Sequence, residues 1–135
     1  LDQLILLLNE NGVSSIQKGK LDTTFFRDDF RRSEVPHNAK ATEMEVSIEG
    51  KNVVLIDDVL FTGRSIRSAL TAIDSYGRPE SIELLVLVDR RFSRHLPIQP
   101  DYLGAQIDAL QGDKVKVVWS EGTANNIVYL EKQNQ

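Results

Sequence analysis

The stretch Val53-Val54-Leu55-Ile56-Asp57-Asp58 constrains this chain more than any other. Four consecutive apolar residues too short for a helix read as a strand buried on both faces of a parallel sheet. Two carboxylates stand at its end. Thr62, Gly63 and Arg64 follow as a polar, glycine-bearing turn. Ile66, Ala69, Leu70 and Ile73 then recur at helical spacing, which predicts a helix over residues 65–76. Gly77 and Pro79 come in the order that ends helices. A second apolar run, residues 82–88 (IELLVLV), predicts another buried strand. Residues 53–88 therefore read as strand, helix, strand, with the crossover length of a parallel βαβ unit.

The rest of the chain is arranged around that unit. Residues 1–9 cluster Leu4, Ile5, Leu7 and Leu8 ahead of Asn11-Gly12, the end of an amphipathic helix with a glycine stop. Residues 21–26 (LDTTFF) predict a strand, and 44–48 a short, weakly alternating one. Residues 27–42, charged and holding Pro36, predict a long loop, and 89–104 another. Residues 115–119 and 126–130 predict two closing strands about a turn at 121–123. At 135 residues and 41% hydrophobic, the chain suits one domain with a core. A net charge of −4 does not favour a strongly basic nucleic-acid binder. The absence of cysteine excludes disulfides and thiolate sites and fits a cytoplasmic location. The longest apolar run, residues 4–8, is too short to cross a bilayer.

The chemistry follows from what the central turn can bind. In an open α/β sheet, ligands sit beyond the carboxyl ends of the strands. The helix N-terminus offers free amides to an anion. Gly63 lets backbone approach it closely, and Thr62 and Ser65 add hydroxyls. Asp57 and Asp58 would repel a phosphate placed beside them. A bipolar ligand resolves the conflict: its phosphate goes to the loop and its vicinal hydroxyls to the carboxylates. Ribose 5-phosphate has that shape. A solvated strand end with a Thr62 helix cap is the bland alternative for a lone Asp-Asp pair. Neither the Walker A pattern nor G-x-G-x-x-G is present.

The string VVLIDDVLFTGRS resembles the phosphoribosyl-pyrophosphate signature of type I phosphoribosyltransferases. With LDTTFFRDDF, Gly77-Arg78-Pro79, Leu87-Val88-Asp89-Arg90 and LPIQPDYLG it is similar to one branch, the PyrR family, over about residues 18–104. That family comprises bifunctional pyrimidine-operon attenuation regulators with uracil phosphoribosyltransferase activity. The resemblance implies a type I phosphoribosyltransferase fold: a mostly parallel sheet flanked by helices, with a small hood. It implies catalytic roles for Asp57, Asp58 and Arg27, the two aspartates at the ribose 2′- and 3′-hydroxyls and Arg27 at the start of a loop that closes over the site. Phe61, Thr62, Gly63, Arg64 and Ser65 would hold the 5′-phosphate, mainly through backbone with the Thr62 and Ser65 hydroxyls, and Val59 and Leu60 would belong to the same substrate-binding stretch. Asp89, Arg90, Pro97 and Ile98 would belong to a hood framing uracil, largely through backbone groups.

The implied reaction converts uracil and phosphoribosyl pyrophosphate to UMP and pyrophosphate, a pentosyl transfer. Mg²⁺ would be carried mainly by the substrate's oxygens, near Asp57 and Asp58, with no direct protein ligand set. An attenuator RNA is the possible macromolecular partner, no membrane is expected, and a homo-oligomer is. The earlier strand and pyrophosphate loop with an Arg-Gly pair are missing ahead of residue 21, so the N-terminal part of the single domain is expected to be incomplete. Ala105-Gln106 stands where the family commonly has a lysine. Arg90, Arg91, Arg94 and His95 form a basic cluster that could touch RNA phosphates, lie as a solvated loop or contact substrate inside the hood. Two alternatives stand beside the enzyme: an RNA-binding attenuator sensing UMP or UTP with little catalysis, and a transferase for hypoxanthine, guanine or orotate. LPIQPDY argues against the last.

Overall fold

In the computed structural model of the chain, residues 1–23, 44–120 and 125–133 are described. The elements run in the order α1 (Asp2–Glu10), β1 (Asn52–Leu60), α2 (Arg64–Ile73), β2 (Ser81–Arg91), β3 (Tyr102–Asp108), β4 (Lys114–Val118) and β5 (Ile127–Glu131). β1, β2 and β3 form a parallel sheet in that order, and β4 pairs with β5 as an antiparallel hairpin. The fold is α/β.

The expected βαβ unit is present, with β1 and β2 parallel and α2 as the crossover. Both strands outrun their apolar cores. β1 continues through Asp57 and Asp58 to Leu60, because its ladder with β2 holds as far as Leu60 opposite Asp89. α2 stops at Ile73, three residues short of expectation. The amides of Ser75 and Tyr76 bond back to the Ala72 and Ile73 carbonyls in tighter i→i+3 turns.

Leu60, Ile66, Leu84 and Val86 form the core, joined by Leu55, Leu70 and Ile98. This cluster pins α2 to one face of the sheet. The expectation that β1 is buried on both faces is corrected. Its residues alternate, and Val54 and Ile56 are 47% and 39% exposed on the face away from α2. The apolar run marked a strand but could not say how many of its faces are covered.

The expected loop over 89–104 is corrected at both ends. β2 continues through Asp89, Arg90 and Arg91, and β3 begins at Tyr102. Asp101 sets this pairing: its amide donates to the Leu84 carbonyl at 2.8 Å, and its carboxylate accepts the Leu84 amide at 2.7 Å. β3 has no apolar run of its own. Its central Gly104 lies where a Cβ would sit 2.5 Å from the Leu87 carbonyl oxygen, so the two strands approach only because that atom is missing. Residues 44–48 form no strand; Ile48 is buried, and the next turn bonds to residues 78–80 through Gly50, Lys51 and Glu49. Most of the expected strand 21–26, the loop 27–42 with Arg27, and the turn 121–123 lie outside the described residues. Among the described residues no helix is long and apolar enough to cross a membrane.

Candidate functional site

A cavity of about 270 Å³ opens where β1 passes into α2. It is lined by Asp57, the turn residues from Val59 to Ser65, and Ile66 and Ser68 of α2. Its volume is near the lower end of the roughly 300–1,000 Å³ usual for small-molecule sites. The sequence placed residues 57–65 here, and all but Asp58 line the cavity.

The turn is shaped by Gly63, which caps α2 in the left-handed conformation at φ +93°. Thr62 Oγ1 accepts the Arg64 amide at 3.3 Å, and the Arg67 amide closes the first helical turn on the Gly63 carbonyl at 3.0 Å. The first amides of a helix have no acceptor within it and carry its positive dipole end. Arg64 and Ser65 of this first turn line the cavity together with the hydroxyl-bearing Thr62.

Asp57 supplies the opposite polarity. Burial pushes its carboxyl up to about 6 from the ordinary 3.8, and the neighbouring charge of Asp58 adds to the rise. The Asp58 amide opposes it by donating to Asp57 Oδ1 at 2.9 Å. Asp58 is exposed, and its Oδ1 accepts the Val59 amide at 2.7 Å. Asp57 lines the cavity and Asp58 does not, yet their carboxyls stay close enough for Asp58 to raise the Asp57 carboxyl through both its charge and a side-chain contact.

The residues expected in the hood lie behind the turn. Asp89 and Arg90 are buried, at 5% and 6% exposure. Arg90 donates to the Asp113 carbonyl at 3.0 Å and stacks on Phe61, its guanidinium carbon 3.9 Å from the ring centroid. Asp89 pairs with Arg94. Ile98 and Leu96 pack against Gly63, each 3.4 Å from where a Cβ would stand. Pro97 lies between these two packing residues. Arg91 is bound by Asp108 through two contacts, 2.6 and 2.8 Å long. Of the basic cluster Arg90, Arg91, Arg94 and His95, the three arginines thus have partners within the chain.

Ile66 and Ser68 line the cavity without having been expected there. Ser68 Oγ is turned onto the Arg64 carbonyl at 3.0 Å. The spacing from Ser65 to Ser68 puts both on one side of α2, a signal the sequence did carry.

The phosphoribosyl transferase domain family matches residues 3–124. The Bifunctional protein PyrR of Picosynechococcus sp. is 46% identical over 118 residues, covering 87% of this chain and 66% of that protein. That of Geobacter sulfurreducens is 40% identical over 131 residues, covering 96% of this chain and 73% of that protein. A solved hypoxanthine phosphoribosyltransferase from Staphylococcus aureus is 32% identical, with a TM-score of 0.44 over 51% of this chain and 38% of that one. The chain spans 66% and 64% of the length of the first two curated relatives it matches.

Proposed function

Because the chain belongs to the phosphoribosyl transferase family, and within it to the PyrR proteins, we propose that it is a uracil phosphoribosyltransferase that forms UMP and pyrophosphate from uracil and phosphoribosyl pyrophosphate. One observation carries the reading. A desolvated carboxylate, Asp57, and the amide-rich first turn of α2 line one cavity. A ligand with a phosphate at one end and vicinal hydroxyls at the other satisfies both.

The transfer makes a bond from the uracil ring nitrogen N1 to the ribose anomeric carbon. Pyrophosphate leaves with the electron pair of the bond it had to that carbon, and N1 loses its proton. Positive charge builds on the ribose, and a fixed carboxylate nearby stabilises it. Asp57 does this from the cavity wall once ionised, while accepting a hydrogen bond from a ribose hydroxyl. The turn from Phe61 to Ser65 holds the 5′-phosphate and fixes the sugar's position. Arg27, assigned to the closing loop, lies outside the described residues.

Asp57 offers hard oxygen in the cavity wall, the kind of ligand that fits a magnesium ion brought in by the substrate. Mg²⁺ accepts one or two carboxylates beside substrate oxygens and water. When bound, it would neutralise charge on the departing pyrophosphate.

The enzyme is the favoured role over an RNA-binding regulator, since Arg90 is buried and Arg94 is held by Asp89 and the Phe61 carbonyl. The test is nucleotide formation by the full-length protein with Mg²⁺ and phosphoribosyl pyrophosphate, offering uracil, hypoxanthine, guanine and orotate separately. UMP from uracil alone is expected. No product with any base overturns the enzymatic reading and leaves the regulator. Product from a purine base or orotate alone overturns the choice of uracil.

A further inference from the structure

We propose that Arg94 is a positioning residue that aims the amides of the phosphate-binding turn, an inference that rests on the turn holding a sugar phosphate. Arg94 Nη1 donates to the Phe61 carbonyl at 2.6 Å. The amides of His95 and Leu96 both donate to the Thr62 carbonyl, at 2.9 and 3.2 Å. Two consecutive carbonyls of the turn are therefore held by the segment 94–96.

Peptide geometry converts that grip into ligand geometry. Across a trans peptide the carbonyl and the following amide point in opposite directions. Pulling the Phe61 and Thr62 carbonyls towards residues 94–96 turns the Thr62 and Gly63 amides the other way. Thr62 and Gly63 both line the cavity. The donors are thus oriented by what holds the other end of each peptide plane.

Arg94 is itself fixed. Its other terminal nitrogen pairs with Asp89, whose side chain is 7% exposed against 23% for Arg94. Gln106 Nε2 of β3 lies 3.5 Å from the second Asp89 oxygen. The turn is in this way referenced to β2 and β3. Phe61 is held a second time by Arg90 beneath its ring. A guanidinium serves two acceptors at a fixed angle, which a single ammonium cannot reproduce.

Removing Arg94 outright strands the buried Asp89 charge and threatens folding. Arg94→Lys keeps a cation beside Asp89 while losing the fork, so it separates orientation from charge balance. Binding of ribose 5-phosphate to the full-length protein would be followed by calorimetry, with thermal unfolding alongside. Arg94→Lys is expected to unfold within a few degrees of the wild type and to bind about tenfold more weakly. In turnover, KM for phosphoribosyl pyrophosphate rises by a similar factor and KM for uracil stays within about twofold. Unchanged affinity in a folded Arg94→Lys protein overturns the proposal and leaves the sugar-phosphate reading intact. A wild type that binds no ribose 5-phosphate overturns the sugar-phosphate reading itself, and this inference with it.

Discussion

The Asp58 amide donates to Asp57 Oδ1 at 2.9 Å, and Asp58 Oδ1 in turn accepts the Val59 amide at 2.7 Å. The pair is a half-buried carboxylate in the cavity wall with a more exposed partner at its shoulder. Their substitutions should separate accordingly.

Asp57→Asn should trade activity for stability. The folded carboxyl is pushed up to about 6, above its ordinary 3.8, so folding tightens its hold on the proton. Its contribution to stability is full below about pH 4 and is lost as pH rises through about 6. At pH 7.5 the ionised group opposes folding, and Asn removes that cost. Thermal unfolding at pH 7.5 should show a higher Tm than wild type, and the variant's Tm should change less between pH 4 and 6. Turnover should fall about a hundredfold or more. A lower Tm at pH 7.5 would contradict the burial assigned to this carboxyl.

Asp58→Asn should cost turnover and leave the fold alone. The amide oxygen can still accept the Val59 amide now bound at 2.7 Å, so the strand end keeps its shape. The lost charge should lower UMP formation by about ten- to a hundredfold. Near-normal turnover would remove Asp58 from the ribose site.

Gly63→Ala should weaken phosphate binding more than it weakens the fold. At φ +93° an alanine is strained by about 1–2 kcal/mol. Leu96 and Ile98, 3.4 Å from the new methyl, leave it in ordinary contact. Relief of the strain would rotate the peptide that presents the cavity's amides. Calorimetry with ribose 5-phosphate should show at least a tenfold loss; wild-type affinity would mean that the left-handed cap is not what orients the donors.

Gly104→Ala should act on the sheet instead. A Cβ 2.5 Å from the Leu87 carbonyl oxygen cannot be accommodated without moving β3 from β2. A loss of about 1–3 kcal/mol is expected in denaturant unfolding. Because β3 carries Gln106 next to Asp89, weaker sugar-phosphate binding should accompany it. An unchanged midpoint would show that the strands can separate freely at this point.

Much of this was legible in the chain because it is local. The strand–helix–strand unit follows from an apolar run, a 3.6-residue period and a glycine stop, all within residues 53–88. The turn between β1 and α2 follows from Gly63 and its polar neighbours standing between strand and helix. The neighbouring of carboxylates and helix start, on which the proposed bipolar ligand rests, needed only their order. What the chain did not reveal is non-local. β3 lacks an apolar run, and it is a strand because Asp101 and Gly104 let it dock on β2. Whether Arg94 faces solvent, RNA or the turn depends on a buried aspartate five residues away and on a carbonyl thirty-three residues away. A period of two marks β1 as a strand, but only packing decides that Asp57 is half-buried and Asp58 exposed. By itself the sequence determined which segments can form strand, turn and helix, and it supplied the grounds for the ligand proposed for that turn. Only the tertiary structure decided which faces are covered and which charges are spent inside, because those depend on partners brought together from distant parts of the chain.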